Sequence, residues 1–128
     1  MNVTVSAQQG SNGSVYWTIN GAAAGKSQLQ FAHGAGPDLI HFMLDDQTGM
    51  GFQFDQSDPF WAAKDLPGCP AQGSSCDQTT VQSCNGKQLL VRNENSGAAC
   101  TVQYQLNMLD GQNNAVPVDP IIKNGGSG

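Results

Sequence analysis

The stretch TVQYQLNML, residues 101–109, alternates almost without a break. Val102, Tyr104, Leu106 and Met108 are apolar, and Thr101, Gln103, Gln105 and Asn107 between them are polar. A period of two puts one set on each side of a pleated strand, so the segment is predicted as a strand with one buried and one wet face. On a helix the same four apolar residues would not fall on one face.

The same period recurs elsewhere. NVTVSA places Val3 and Val5 on one face, and SVYWTIN does the same with Val15, Trp17 and Ile19. QQGSNG between them supplies turn residues, so the pair reads as a hairpin. QLQFAH aligns Leu29 with Phe31, and GFQFD aligns Phe52 with Phe54. LIHFMLDD is apolar at most positions, which predicts a central strand covered on both faces. KQLLVRNEN reads as a long strand joined to 101–109 through SGAA, and TTVQS as a short edge strand.

Two stretches break the pattern. From Ser57 to Cys84 the period fails. SDPFWAAKDLPG suits one short helical turn, with Asp58 as cap and Pro59 at the first helical position. In AVPVDPII, Val116, Val118 and Ile122 keep one parity, while Pro117 and Pro120 cannot donate to a ladder. That combination predicts an edge-type terminal strand, kinked at Asp119–Pro120. About 7–9 short strands with turn signals between them predict an all-β sandwich. It forms a single domain over 1–124, with the GGSG of 125–128 as a linker-like tail.

Composition agrees and narrows the function. Charged residues make up 12% of the 128, about half the usual ~25%. Asn, Gln, Ser, Thr and 16 glycines carry the polarity, which suits strands and turns better than helices. A net charge of −5 argues against a nucleic-acid partner. No polybasic run and no long apolar segment points to a membrane. MNVTVSAQQG lacks the basic and apolar regions of a signal peptide. A soluble cytoplasmic protein is the expectation, or a secreted or periplasmic one if its cysteines are paired.

Cys69, Cys76, Cys84 and Cys100 lack the C-x2-C spacing of zinc sites and of thioredoxin-type redox sites. Their even number in a Pro/Gly/Ser-rich stretch suits disulfides. Three connectivities stay open, as do four reduced thiols; the local choice pairs Cys69 with Cys76 and Cys84 with Cys100.

DPFW at 58–61 and VDPIIKNGG at 118–126 together carry a resemblance. A short, mostly β chain with these two segments resembles the small bacterial proteins of the DP-EP family, although this chain has no Glu-Pro dipeptide. The resemblance implies an immunoglobulin-like antiparallel sandwich and no known activity.

Several constellations could carry chemistry. His33, His41 and Met43 are types that copper favours, but no His follows Cys100 in TVQYQLNM, as a blue-copper site would require. Asp45, Asp46, Asp55 and Asp58 lie in and after a turn, yet without the order of an EF-hand. No G-x-S-x-G elbow is present, and Glu94 is the only glutamate. Phe60 and Trp61 sit where periodicity does not claim them for the core. Aromatic rings beside Asp, Asn and Gln are the ingredients of sugar recognition. The expectation is a non-catalytic binding or assembly module needing no cofactor. Its ligand surface would join Asp45 and Asp46 to Phe60 and Trp61, and its edge strands could pair copies into a homo-oligomer. The alternative is a copper- or calcium-binding protein, or a small enzyme, using His33 and His41.

Overall fold

The computed structural model describes residues 1–32, 36–65, 70–97, 99–118 and 121–124. Residues 101–109 lie within the longest strand, β10 (Cys100–Leu109). Val102, Tyr104, Leu106 and Met108 are all fully buried, as alternation requires. Every strand of the second sheet except the outermost pairs with β10. On one edge lie β6 (Gln53–Phe54) and β7 (Phe60–Lys64); on the other lie β11 (Ala115–Val118) and β12 (Ile121–Asn124). β4 (Gln28–Phe31) closes that sheet beyond β12.

The first sheet runs β3-β2-β1-β5-β9-β8. Its strands are β1 (Asn2–Gln9), β2 (Val15–Ile19), β3 (Ala22–Ala23), β5 (Asp38–Asp46), β8 (Thr79–Cys84) and β9 (Gln88–Asn93). The β1–β2 hairpin forms as predicted, with Val5 opposite Ile19 and Gln9 opposite Val15. A 3₁₀ turn at Ala24–Lys26 leads from β3 towards β4.

The two sheets close on one core. Val3, Val5, Ile19, Ile40, Phe42, Leu89 and Val91 face inward from the first sheet. Phe54, Ala62, Val102, Tyr104, Leu106, Met108, Val118 and Ile122 face inward from the second. Tyr104 links the layers: its ring centroid lies 5.8 Å from that of Phe42 across the interface and 5.5 Å from the stacked ring of Phe60.

Several expectations need correction. Twelve strands replace the expected 7–9 among the described residues; two of them, β3 and β6, are only two residues long, and AVPVDPII supplies two strands instead of one. The sandwich is not wholly antiparallel: β1 runs parallel to β5, and β4 parallel to β12. DPFWAAK forms no helical turn. Its chain becomes β7, since a free edge of β10 lies alongside and takes residues 60–64 in ladder register. β5 is central but covered on one face only; Ile40 and Phe42 are buried while Leu39 is 46% exposed.

AVPVDPII makes two strands instead of one. β11 and β12 lie one after the other along β10, and the Asp119–Pro120 kink between them falls outside the described residues. β11 is an edge, as predicted, but β12 is interior, between β10 and β4, with Ile122 fully buried. The N-terminal strand β1 is interior too, between β2 and β5. Pro117 is tolerated for a geometric reason. Its partner Asn107 turns its own N–H to Pro59 O and its carbonyl to Asp55 N, away from β11. Asn107 and Pro117 are therefore a non-hydrogen-bonded pair, and the missing proline N–H falls on the open edge.

Candidate ligand-binding site

The outer face of the second sheet is built from the polar half of β10. Gln105 lies opposite Trp61 of β7, and Asn107 opposite Pro117 of β11. Inward neighbours alternate with them: Leu106 and Met108 on β10, Ala62 on β7 and Val118 on β11 are buried in the core. Trp61, Gln105, Asn107 and Pro117 thus share one outward face.

The loop from Asp55 to Pro59 folds over this face and is fastened to Asn107. Asp55 N donates to Asn107 O at 2.8 Å, Asn107 N donates to Pro59 O at 2.8 Å, and Asn107 Nδ2 donates to Asp58 O at 2.8 Å. The Ser57 N–H and hydroxyl donate to Asp55 Oδ1 at 3.1 and 2.7 Å, closing a tight local turn. Trp61 is fixed by its edge: Nε1 donates to Asp58 Oδ2 at 2.7 Å. The result is a cleft of about 460 Å³ with Gln105 and Asn107 among its lining residues, Trp61, Asp55 and Asp58 on one side and Val116 and Pro117 on the other. That size falls within the roughly 300–1,000 Å³ of small-molecule sites.

The polarity of the cleft follows from one backbone carbonyl. Asp58 O can only accept, so Asn107 must turn its amide nitrogen to it and its Oδ1 the other way. Gln105 must then offer nitrogen to that oxygen, and Nε2 does so at 2.6 Å. Gln105 Oε1 has no hydrogen-bond partner among the described residues, on a residue only 9% exposed. The Trp61 indole N–H and one N–H of each amide point into the network.

The predicted ligand surface is divided by this geometry. Trp61 faces the cleft. Phe60, one residue earlier, points inward and stacks on Tyr104. Asp45 and Asp46 belong to β5 in the other sheet. Both Asp46 oxygens are taken by the turn after β5: Oδ1 accepts from the Thr48 N–H and hydroxyl, and Oδ2 from Phe52 N. Asp45 accepts from the Gln47 amide.

His41 and Met43 share the outer face of the first sheet, opposite Leu90 and Gln88 of β9. His33 lies outside the described residues. Among the described residues no group of three or more His, Cys, Asp or Glu could hold a metal ion. Cys69 also lies outside them. Cys84 and Cys100 stand on different sheets and are not joined. The Cys84 thiol donates instead to Asn85 O, and burial, reinforced by the charge of Asp55, pushes its pKa up. Cys84 and His41 line one shallow groove, and raising a thiol's pKa lowers its thiolate fraction.

Sequence reasoning missed Gln105, Asn107 and Pro117 as site residues. They read as the ordinary wet side of strands, and only the register with Trp61 brings them together. No protein-family model matches the chain, and no curated protein matches it. Among the described residues no helix is long and apolar enough to cross a membrane.

Proposed function

We propose that this protein is a non-catalytic binding module that takes a saccharide-type ligand in the Trp61 cleft. One observation carries the reading. An indole is held by its edge on the outside of a rigid sheet, beside a preformed polar floor and two carboxylates. A fixed aromatic face suits the apolar side of a sugar ring, and the surrounding planar groups suit its hydroxyls. Pre-ordering these side chains lowers the entropy lost on binding. The small all-β architecture and the protonated thiol beside His41 fit binding better than catalysis.

The DP-EP resemblance belongs to the same proposal. Its DPFW segment contributes Asp58 and Trp61, and its VDPIIKNGG segment includes β12. In this reading the two layers are an immunoglobulin-like sandwich. The outer edge of β4 is open among the described residues and is the place where a second copy could add a strand.

Titration with neutral and amino oligosaccharides, followed by tryptophan fluorescence, tests the proposal. The other tryptophan, Trp17, packs edge-on against Phe52 with centroids 5.0 Å apart and serves as an internal reference. Trp61→Ala should abolish the response and weaken binding by roughly tenfold or more, the effect of losing an aromatic anchor. Full affinity in the folded Trp61→Ala variant would overturn the proposal.

A further inference from the structure

We infer that the ligand of the Trp61 cleft carries a positive charge, and that it is a saccharide bearing a protonated amine. The inference rests on the proposed saccharide reading and deepens it.

The Trp61 indole N–H is spent on Asp58 Oδ2, while Asn107 Nδ2 and Gln105 Nε2 each commit one N–H to the network, to Asp58 O and Asn107 Oδ1, and keep a second. The charged groups lining the cleft, Asp55 and Asp58, are both acceptors. Among the described residues Gln105 Oε1 has no hydrogen-bond partner, on a residue only 9% exposed. Among the same residues Asp55 uses only Oδ1 and Asp58 only Oδ2, so each keeps a carboxylate oxygen for a ligand that donates. Sugar hydroxyls can donate, but two negative charges also need an answer. Among the described residues no Lys or Arg lines the cleft, and the ion pairs formed there involve neither Asp55 nor Asp58. An ammonium group meets all of these demands. It only donates, it compensates the carboxylates, and it is attracted to the face of Trp61. Phosphorylated and uronic sugars are excluded by the same charges.

The test compares a linear oligomer of 2-amino-2-deoxyglucose with its fully N-acetylated counterpart of equal length. It is run at about pH 5.5, where the amines of the oligomer are protonated. Trilysine serves as a non-saccharide cation. The readout is the dissociation constant from the shift of the Trp61 Nε1–H resonance. The amino oligomer should bind roughly fivefold or more tighter than the acetylated one, more tightly than trilysine, and less tightly as salt is added.

Asp55→Asn and Asp58→Asn should each shrink that preference. Asn keeps a side-chain carbonyl for Ser57 or for Trp61 Nε1, so both variants should keep the fold, and the remaining amide resonances check this. Equal or tighter binding of the acetylated oligomer at Trp61 would overturn the cationic inference and leave the saccharide reading standing. Trilysine binding as tightly as the amino oligomer would show a charge site without sugar selectivity and overturn the inference. A Trp61 resonance that no oligosaccharide moves would overturn both.

Discussion

Tyr104 lies fully buried between Phe42 and Phe60, and its hydroxyl has no partner there. Burial drives its pKa far upward, so it stays a neutral phenol. A buried, unpaired hydroxyl is a cost without compensation. Tyr104→Phe should raise stability by about 1 kcal/mol in urea denaturation; a loss of that size would show that the hydroxyl is satisfied after all. Asp46 is the opposite case. Burial alone would raise its pKa, but the Thr48 hydroxyl and N–H, the Phe52 N–H and the charge of Lys87 outweigh it and hold the carboxyl below its ordinary value. A group with a lowered folded pKa contributes fully above its unfolded value, near ~4. That contribution disappears as pH falls through the lower folded value. The stability gap between wild type and Asp46→Asn should therefore narrow between about pH 6 and about pH 3, and urea melts across that range check it. A gap independent of pH would contradict this role. The sequence marks Asp46 as a polar turn residue, but it cannot show that both oxygens are consumed by the turn. Trp61 stands out in the sequence because no periodic pattern claims it; Gln105 and Asn107 do not, because any wet strand face looks the same.

At the level of elements, strands were legible wherever alternation lasted four residues or more. β1, β2, β9 and β10 fall where their patterns place them. β7 was not, because Ala62 and Ala63 after Asp58–Pro59 resemble a helix start, and only pairing with β10 settles the segment as strand. The turn at Asn20–Gly21 is encoded locally. Asn20 and Gly21 have φ of 49° and 86°, the double left-handed turn that Asn-Gly favours between two strands, and it joins Ile19 directly to Ala22. The last strand is the strictest test at this scale. Ile122 is fully buried and pairs with Val102 on one side and Leu29 on the other. Ile122→Ala should cost about 2–5 kcal/mol in chemical denaturation. A cost below about 0.5 kcal/mol, the range of surface substitutions, would mean that β12 is not part of the core.

For the molecule as a whole, alternation dictates two layers with a shared interior, because each strand offers one apolar face that must find another. It does not dictate which strands meet. The parallel pairings of β1 with β5 and of β4 with β12 join segments far apart in the chain, and no local pattern encodes them. The site inherits that difficulty. The Asp55–Pro59 loop, the middle of β10 and the strand at Val116 and Pro117 form one cleft only after the second sheet is assembled. The proposed function places the ligand on the outer face of that sheet, while the first sheet contributes the other half of the core. Amide chemical-shift mapping during titration with the amino oligosaccharide tests this most directly. The expected result is a compact set of perturbed signals: the Trp61 indole N–H, the side-chain amides of Gln105 and Asn107, and the backbone of 55–58. Perturbations centred instead on β5 and β9, around His41 and Asp45, with the Trp61 signal unmoved, would contradict it.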